Sequence, residues 1–310
     1  MRRNILILIS TLFLQGAKSQ LVPKWSNLNY AGDTLLGHTL DIFVPSTKAN
    51  QFPVVVMIYG SAWFNNNGKG EIARDMVAKK LIQNGFMVIA INHRSSKEAK
   101  FPAQIQDVKA AIRFARGNAA KYKIDSSFIA ITGWSSGGHL SALAGTSDYV
   151  KAKQVGDKSI DVEGRVGQYL ASGSQVNAVV DWFGPTDFLV MDSCGSTVSH
   201  NDANSPESSL IGGPVQQNKE LCALANPITY VDEKNPSFLI IHGDADPMVP
   251  LCESVLLNQA LAAKGVQTEL VVVPKGGHGP GVENDENAER LILFFQQELA
   301  KSRKNSTNGK

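Results

Sequence analysis

Continuous apolar runs rich in β-branched residues alternate along this chain with stretches whose apolar positions recur at helical spacing. Residues 53–60, 86–92, 128–132, 178–183, 238–242 and 270–273 are predominantly apolar, as strands buried on both faces tend to be. Residues 38–44 alternate instead and predict a half-exposed strand. Helical patterns cover 71–84, 103–122, the segment after Ser135, 251–264 and 283–300. Strands alternating with helices predict an α/β fold, a doubly wound and mostly parallel sheet, with ligands bound at the strands' carboxyl ends.

One interval breaks the rhythm. Residues 184–231 carry turn formers such as Asn201, Pro206, Gly212-Gly213-Pro214 and Pro227, with little periodicity. That is too long for a plain connector, so a lid-like insertion over the site is expected there. The other end segments are simpler. Residues 301–310 form a polar tail, expected to fray, and its Asn305-Ser306-Thr307 sequon matters only in a glycosylating source. The start, Met1-Arg2-Arg3-Asn4 followed by an apolar run from Ile5 to Leu14 and Ala17-Lys18-Ser19, has the layout of an export signal cleaved before Gln20. The run is too short to span a bilayer, so no stable membrane insertion is expected. The expected organisation is a signal peptide over 1–19, one catalytic domain over 20–300 and the tail, in a secreted or periplasmic protein.

Composition changes this picture little. With 310 residues, 43% hydrophobic and a net charge of +2, the chain can bury one large core. Nothing in its charge points to nucleic acid. Three cysteines, Cys194, Cys222 and Cys252, allow one disulfide and one free thiol in an oxidising compartment, with the pairing open. No zinc-type spacing occurs, and no metal or organic cofactor is expected.

The candidate chemistry sits where strands end. The run 128–132 leads into Gly133-Trp134-Ser135-Ser136-Gly137, and Leu140-Ser141-Ala142-Leu143-Ala144 continues as helix. Strand, tight turn and helix around G-x-S-x-G form a nucleophile elbow, and the helix N-terminus favours negative charge beside Ser135. A serine hydroxyl needs a base, and the base needs an orienting carboxylate. Asp246 follows the strand 238–242 and is preferred over Asp244, which suits a turn-forming role. His278, between glycines after the last strand, is the candidate base, third in the order Ser, Asp, His. Preplaced donors must also meet the oxyanion. Backbone N–H groups of Ser61 and Ala62, in the loop after 54–58, and of Ser136 are the candidates. Trp63 and Phe64 are candidates for lining the substrate pocket.

These motifs resemble the α/β-hydrolase superfamily, specifically bacterial secreted esterases of the hormone-sensitive-lipase-like and feruloyl-esterase (BD-FAE-like) groups. Gly133-Trp134-Ser135-Ser136-Gly137-Gly138-His139 is similar to the G-x-S-A-G-G-H of those proteins, with Ser136 for alanine. Asn92-His93-Arg94 stands where they usually have Asn-Tyr-Arg. The helix beginning Phe101-Pro102-Ala103-Gln104, the stretch Asp181-Trp182-Phe183-Gly184-Pro185-Thr186-Asp187-Phe188, and Ser205-Pro206-Glu207-Ser208 carry the likeness further. The clearest departure is Tyr59-Gly60-Ser61-Ala62-Trp63 in place of H-G-G-G-W, which alters loop shape and the room beside the scissile carbonyl. The resemblance implies a serine carboxylesterase removing acetyl or feruloyl groups from an acylated plant cell-wall saccharide, or acting on a small ester. The same residues would also serve a peptidase or amide hydrolase, and a non-catalytic binding protein could keep the fold.

Overall fold

Successive residues of a strand point to opposite faces, so a run that is apolar throughout needs cover on both sides. The computed structural model, which describes residues 20–308 and side chains as far as Asn305, supplies that cover. The expected leader over 1–19 lies outside the described residues. In β3 (Phe52–Ile58), Val54, Val56 and Ile58 enter one core while Val55 and Met57 enter the other. Burying each such side chain contributes about 1.5–3 kcal/mol against leaving it in water.

The strands in chain order are β1 (Trp25–Asn29), β2 (Thr39–Phe43), β3, β4 (Met87–Ile91), β5 (Ile124–Trp134), β6 (Ala152–Val155), β7 (Lys158–Asp161), β8 (Ala178–Trp182), β9 (Ser237–Gly243) and β10 (Thr268–Val273). Among the described residues an eight-stranded sheet runs in the order β1-β2-β4-β3-β5-β8-β9-β10. It is parallel from β4 to β10, with β1 and β2 antiparallel at one edge. The helices are α1 (Met76–Gln83), α2 (Ala103–Gly117), α3 (Ala119–Tyr122), α4 (Ser136–Thr146), α5 (Pro206–Ile211), α6 (Lys219–Ala225), α7 (Cys252–Ala263) and α8 (Asp285–Asn308). Side chains of α2, α4 and α7 fill one core and those of α1 and α8 the other. This is the doubly wound α/β sheet that the strand and helix pattern predicts. No described helix is long and apolar enough to cross a membrane.

Differences from the expected elements have local causes. The helix expected over 71–84 starts only at α1, because the Asp75 side chain accepts the Ala78 N–H at 2.8 Å and caps it there. Residues 69–74 form a separate 3₁₀ turn. The hairpin β6–β7 carries no strand signal in the sequence, because residues 151–161 are mostly polar and only Val155 and Ile160 reach the core. α5 is opened by the Ser205 side chain accepting from Ser208 N, with Pro206 in the first turn, a start signal present in the sequence. Residues 301–308 continue α8 as helix instead of fraying.

The elbow shows why glycine is required at two positions. A Cβ on Gly133 would stand 2.5 Å from the Gly137 carbonyl oxygen, and one on Gly137 would stand 2.3 Å from the Ile58 carbonyl oxygen. Neither obstacle is a flexible side chain. Gly137→Ala should therefore destabilise the fold by roughly 1–3 kcal/mol, as overpacking does. A thermal midpoint equal to that of the unaltered protein would sink this account of the elbow.

Candidate active site

Five parallel strands deliver the candidate residues to one end of the sheet. β5 ends in Trp134, and Ser135 follows at φ +54° and ψ −120°, a strained conformation forced by the immediate start of α4. Its N–H donates to the Trp182 carbonyl at the end of β8, at 2.9 Å. The loop after β9 carries Asp246, and the loop after β10 carries His278. The structure brings the three side chains into one row. The Ser135 hydroxyl lies 2.9 Å from His278 Nε2, and His278 Nδ1 lies 2.7 Å from Asp246 Oδ2. A carboxylate accepts only, so His278 Nδ1 donates to it, and Nε2 is left to accept from the serine.

Asp246 is held ionised. Burial alone would raise its pKa, but hydrogen bonds from His242 and His278, the charge of His278 and the Met248 N–H outweigh that. Its carboxyl sits well below the usual range. Oδ1 accepts from the N–H groups of Met248 at 2.8 Å and Val249 at 3.0 Å. His242, fully buried under this loop, donates to the Val249 carbonyl at 2.8 Å through Nε2. The alternative acid, Asp244, is exposed and accepts the Lys275 N–H at 2.5 Å, which ties the acid loop to the base loop.

The insertion acts at a different place from the one expected. A pocket of about 630 Å³ surrounds Ser135 and His278, and no residue of 184–231 lines it. Residues 194–200 instead clamp the back of the acid loop. Cys194 is bonded to Cys252, leaving Cys222 free and buried. Thr197 donates to the Pro247 carbonyl through N–H and hydroxyl, at 3.0 and 2.6 Å. Ser196 Oγ and His200 Nε2 both donate to the Met248 carbonyl, at 3.0 and 2.9 Å. Further on, the Ala225 carbonyl accepts from His139 Nε2 at 2.9 Å, and burial lowers the His139 pKa to about 4, so the ring is neutral.

The pocket residues also differ from expectation. Trp63 is only 1% exposed and packs edge-on against His139 and Phe188, so it anchors its loop and does not line the pocket. Phe64 is likewise outside the lining, with Lys97 Nζ 5.3 Å from its ring. The apolar lining comes from Tyr59, Ile72, Trp134, Phe183 and Met248, and the polar wall from Glu71, Arg74, Asp75 and Glu283. Burial pushes the Asp75 carboxyl up. Burial and then the charge of Asp75 do the same to Glu283. No spacing marks this wall in the sequence, since Glu71 to Asp75 and Glu283 meet only through the fold.

Of the expected oxyanion donors, Ala62 N–H and Ser136 N–H have no acceptor among the described residues. Ser61 N–H is different, for it donates to the Ser136 hydroxyl at 2.9 Å. The two unusual residues Tyr59 and His93 face each other, with rings stacked at 5.3 Å and 12°. Where the resemblance expects histidine at the first position and tyrosine at the second, this chain has the pair exchanged.

Fold and elbow together define the α/β-hydrolase class. The comparisons narrow this, because the BD-FAE family model matches residues 40–261, and the chain belongs to that family. Among solved structures, a bifunctional GH43-CE protein of Bacteroides eggerthii is 52% identical with a TM-score of 0.85, covering 88% of this chain and 35% of its own. A truncated carbohydrate esterase from gut microbiota is 48% identical with a TM-score of 0.86, covering 91% and 98%. Esterase LipQ of Mycobacterium tuberculosis (strain ATCC 25618 / H37Rv) is 33% identical over 218 residues, 70% of this chain and 47% of its own. The chain spans about half the length of the curated relatives it matches, 47% and 58% for the first two.

Two outcomes test the acid loop. Because the folded pKa of Asp246 is depressed, the stability it contributes is complete above about pH 4, its unfolded value, and is lost as pH falls below that. Asp246→Asn should flatten the loss of thermal midpoint with acid in that window, and an unchanged slope would count against it. Replacing Cys194 and Cys252 together by serine should cost about 4 kcal/mol, from the 58-residue separation the bond closes. Denaturant unfolding measures this cost.

Proposed function

We propose that this protein is a serine carboxylesterase that removes acetyl or feruloyl groups from plant polysaccharides or oligosaccharides, outside the cytoplasm. The observation that carries the reading is the row Ser135–His278–Asp246, seated on a strained elbow in a pocket open to substrate. Ser135 Oγ attacks the ester carbonyl while His278 Nε2 takes its proton. The resulting oxyanion is met by backbone N–H groups at the start of α4 and in the loop after β3. His278 then protonates the departing alcohol, and the acyl group on Ser135 is released by a water that His278 activates. Asp246 remains ionised throughout, holding the imidazole and the positive charge it gains.

The saccharide part of the reading draws on the two solved carbohydrate esterases at 52% and 48% identity. It also draws on the polar wall. Carboxylates of Glu71, Asp75 and Glu283 are acceptors for sugar hydroxyls, and the aromatic and apolar lining suits an acyl group or a ring face. Export is supported by the Cys194–Cys252 disulfide, a bond that persists in oxidising compartments.

Acetylated and feruloylated xylo-oligosaccharides, 4-nitrophenyl acetate and a peptide anilide, offered side by side, test this reading. Release of acyl groups from the saccharides, lowered roughly 10⁴-fold or more in Ser135→Ala, is the expected result. Equal rates for the two proteins would remove the esterase reading, and turnover of the anilide alone would replace it with an amidase.

A further inference from the structure

Residues Ser61 to Phe64 form a tight reversal closed by the Phe64 N–H donating to the Ser61 carbonyl at 2.9 Å. The two central residues, Ala62 and Trp63, have φ of +51° and +58°. Two successive left-handed residues suit glycine or asparagine, and they strain alanine and tryptophan. Such strain persists only where the surroundings over-determine it. At the far end of this turn the surroundings are plain. Trp63 is buried against His139 and Phe188, and its carbonyl accepts the Ser96 N–H at 2.8 Å.

At the near end the hold is one hydrogen bond, from Ser61 N–H to the Ser136 hydroxyl. Ser136 is 1% exposed, in the first turn of α4 directly after the candidate nucleophile. Its hydroxyl therefore joins the loop that approaches the substrate to the element that presents Ser135. We propose that Ser136 is a positioning residue whose hydroxyl tethers the strained oxyanion loop to the elbow. The tether takes the Ser61 N–H away from the substrate. The hole is left to N–H groups without an acceptor among the described residues, those of Gly60, Ala62 and Ser136 itself. The same bond gives a physical reason for three sequence departures together. A loop with Ser61 and Ala62 in place of glycines adopts its left-handed turn less readily, and a serine in place of alanine at 136 supplies the acceptor that holds it.

The proposal rests on the esterase reading for its catalytic consequence but not for the tether. Two readouts separate them. Amide hydrogen exchange at Ser61 should be slow in the protein with serine at 136, faster in Ser136→Ala, and slow again in Ser136→Thr, which keeps a hydroxyl. With 4-nitrophenyl acetate, Ser136→Ala should lower kcat roughly 10- to 100-fold, as small misplacements of catalytic groups do. KM should stay within about twofold, the thermal midpoint should move little, and Ser136→Thr should recover most of the rate. Unchanged exchange at Ser61 in Ser136→Ala overturns the tether whatever the activity. A kcat that holds or rises in that variant overturns the positioning role, since the Ser61 N–H would then be a donor that the serine had been blocking. Equal rates for the unaltered protein and Ser135→Ala would instead strike the esterase reading, and the exchange measurement would still decide the tether.

Discussion

The whole arrangement depends on a contact between backbones with no side chain between them. β5 must turn into α4 within a few residues, and it does so against the end of β3, where the Ile58 carbonyl oxygen leaves no room for a Cβ on Gly137. The turn throws Ser135 into a left-handed conformation at the sheet's carboxyl edge. Everything that could serve the serine arrives from the parallel strands of the same sheet. β3 brings the candidate oxyanion loop, β8 the Trp182 carbonyl that accepts from Ser135 N–H, β9 the candidate acid Asp246 and β10 the candidate base His278. A parallel sheet makes this possible because all these strands end on the same side.

Holding the acid and base takes more structure than forming them. Asp246 is oriented by backbone N–H groups in its own loop, by His242 from below and by His278 from the pocket side. Asp244, two residues earlier, ties the same loop to the one that carries His278. The long segment after β8 reaches behind the acid loop and fastens it through Cys194–Cys252 and the cluster of Ser196, Thr197 and His200. Its place in the fold is that of a brace for the loop of Asp246, and none of residues 184–231 lines the pocket.

The departures from the related pattern are coupled in space. Tyr59 and His93 exchange the expected identities and stack on each other. Ser61 and Ala62 remove conformational freedom from that loop, while Ser136 and the buried Trp63 hold its two ends. Each change is intelligible only beside its partner.

The sequence by itself was enough for the parallel sheet, for the tight turn at Ser135, and for singling out Ser135, Asp246 and His278 as side chains that the fold brings into one row. Those features are written in local signals: apolar runs for strands buried on both faces, glycines where backbones must touch, and loops placed after strands. It also preferred Asp246 to Asp244, which the geometry matches with a separate task for each. Tertiary structure decided what depends on contacts between distant segments. The polar hairpin β6–β7 has no apolar periodicity to betray it, and three cysteines offer several pairings until the fold brings Cys194 to Cys252. Trp63 has the same aromatic character in a pocket or in a core, and only its packing on Phe188 and His139 places it in the core. The wall of Glu71, Arg74, Asp75 and Glu283 exists because the segments that follow β3 and β10 both leave the same end of the parallel sheet, a fact of topology that no short window of sequence contains.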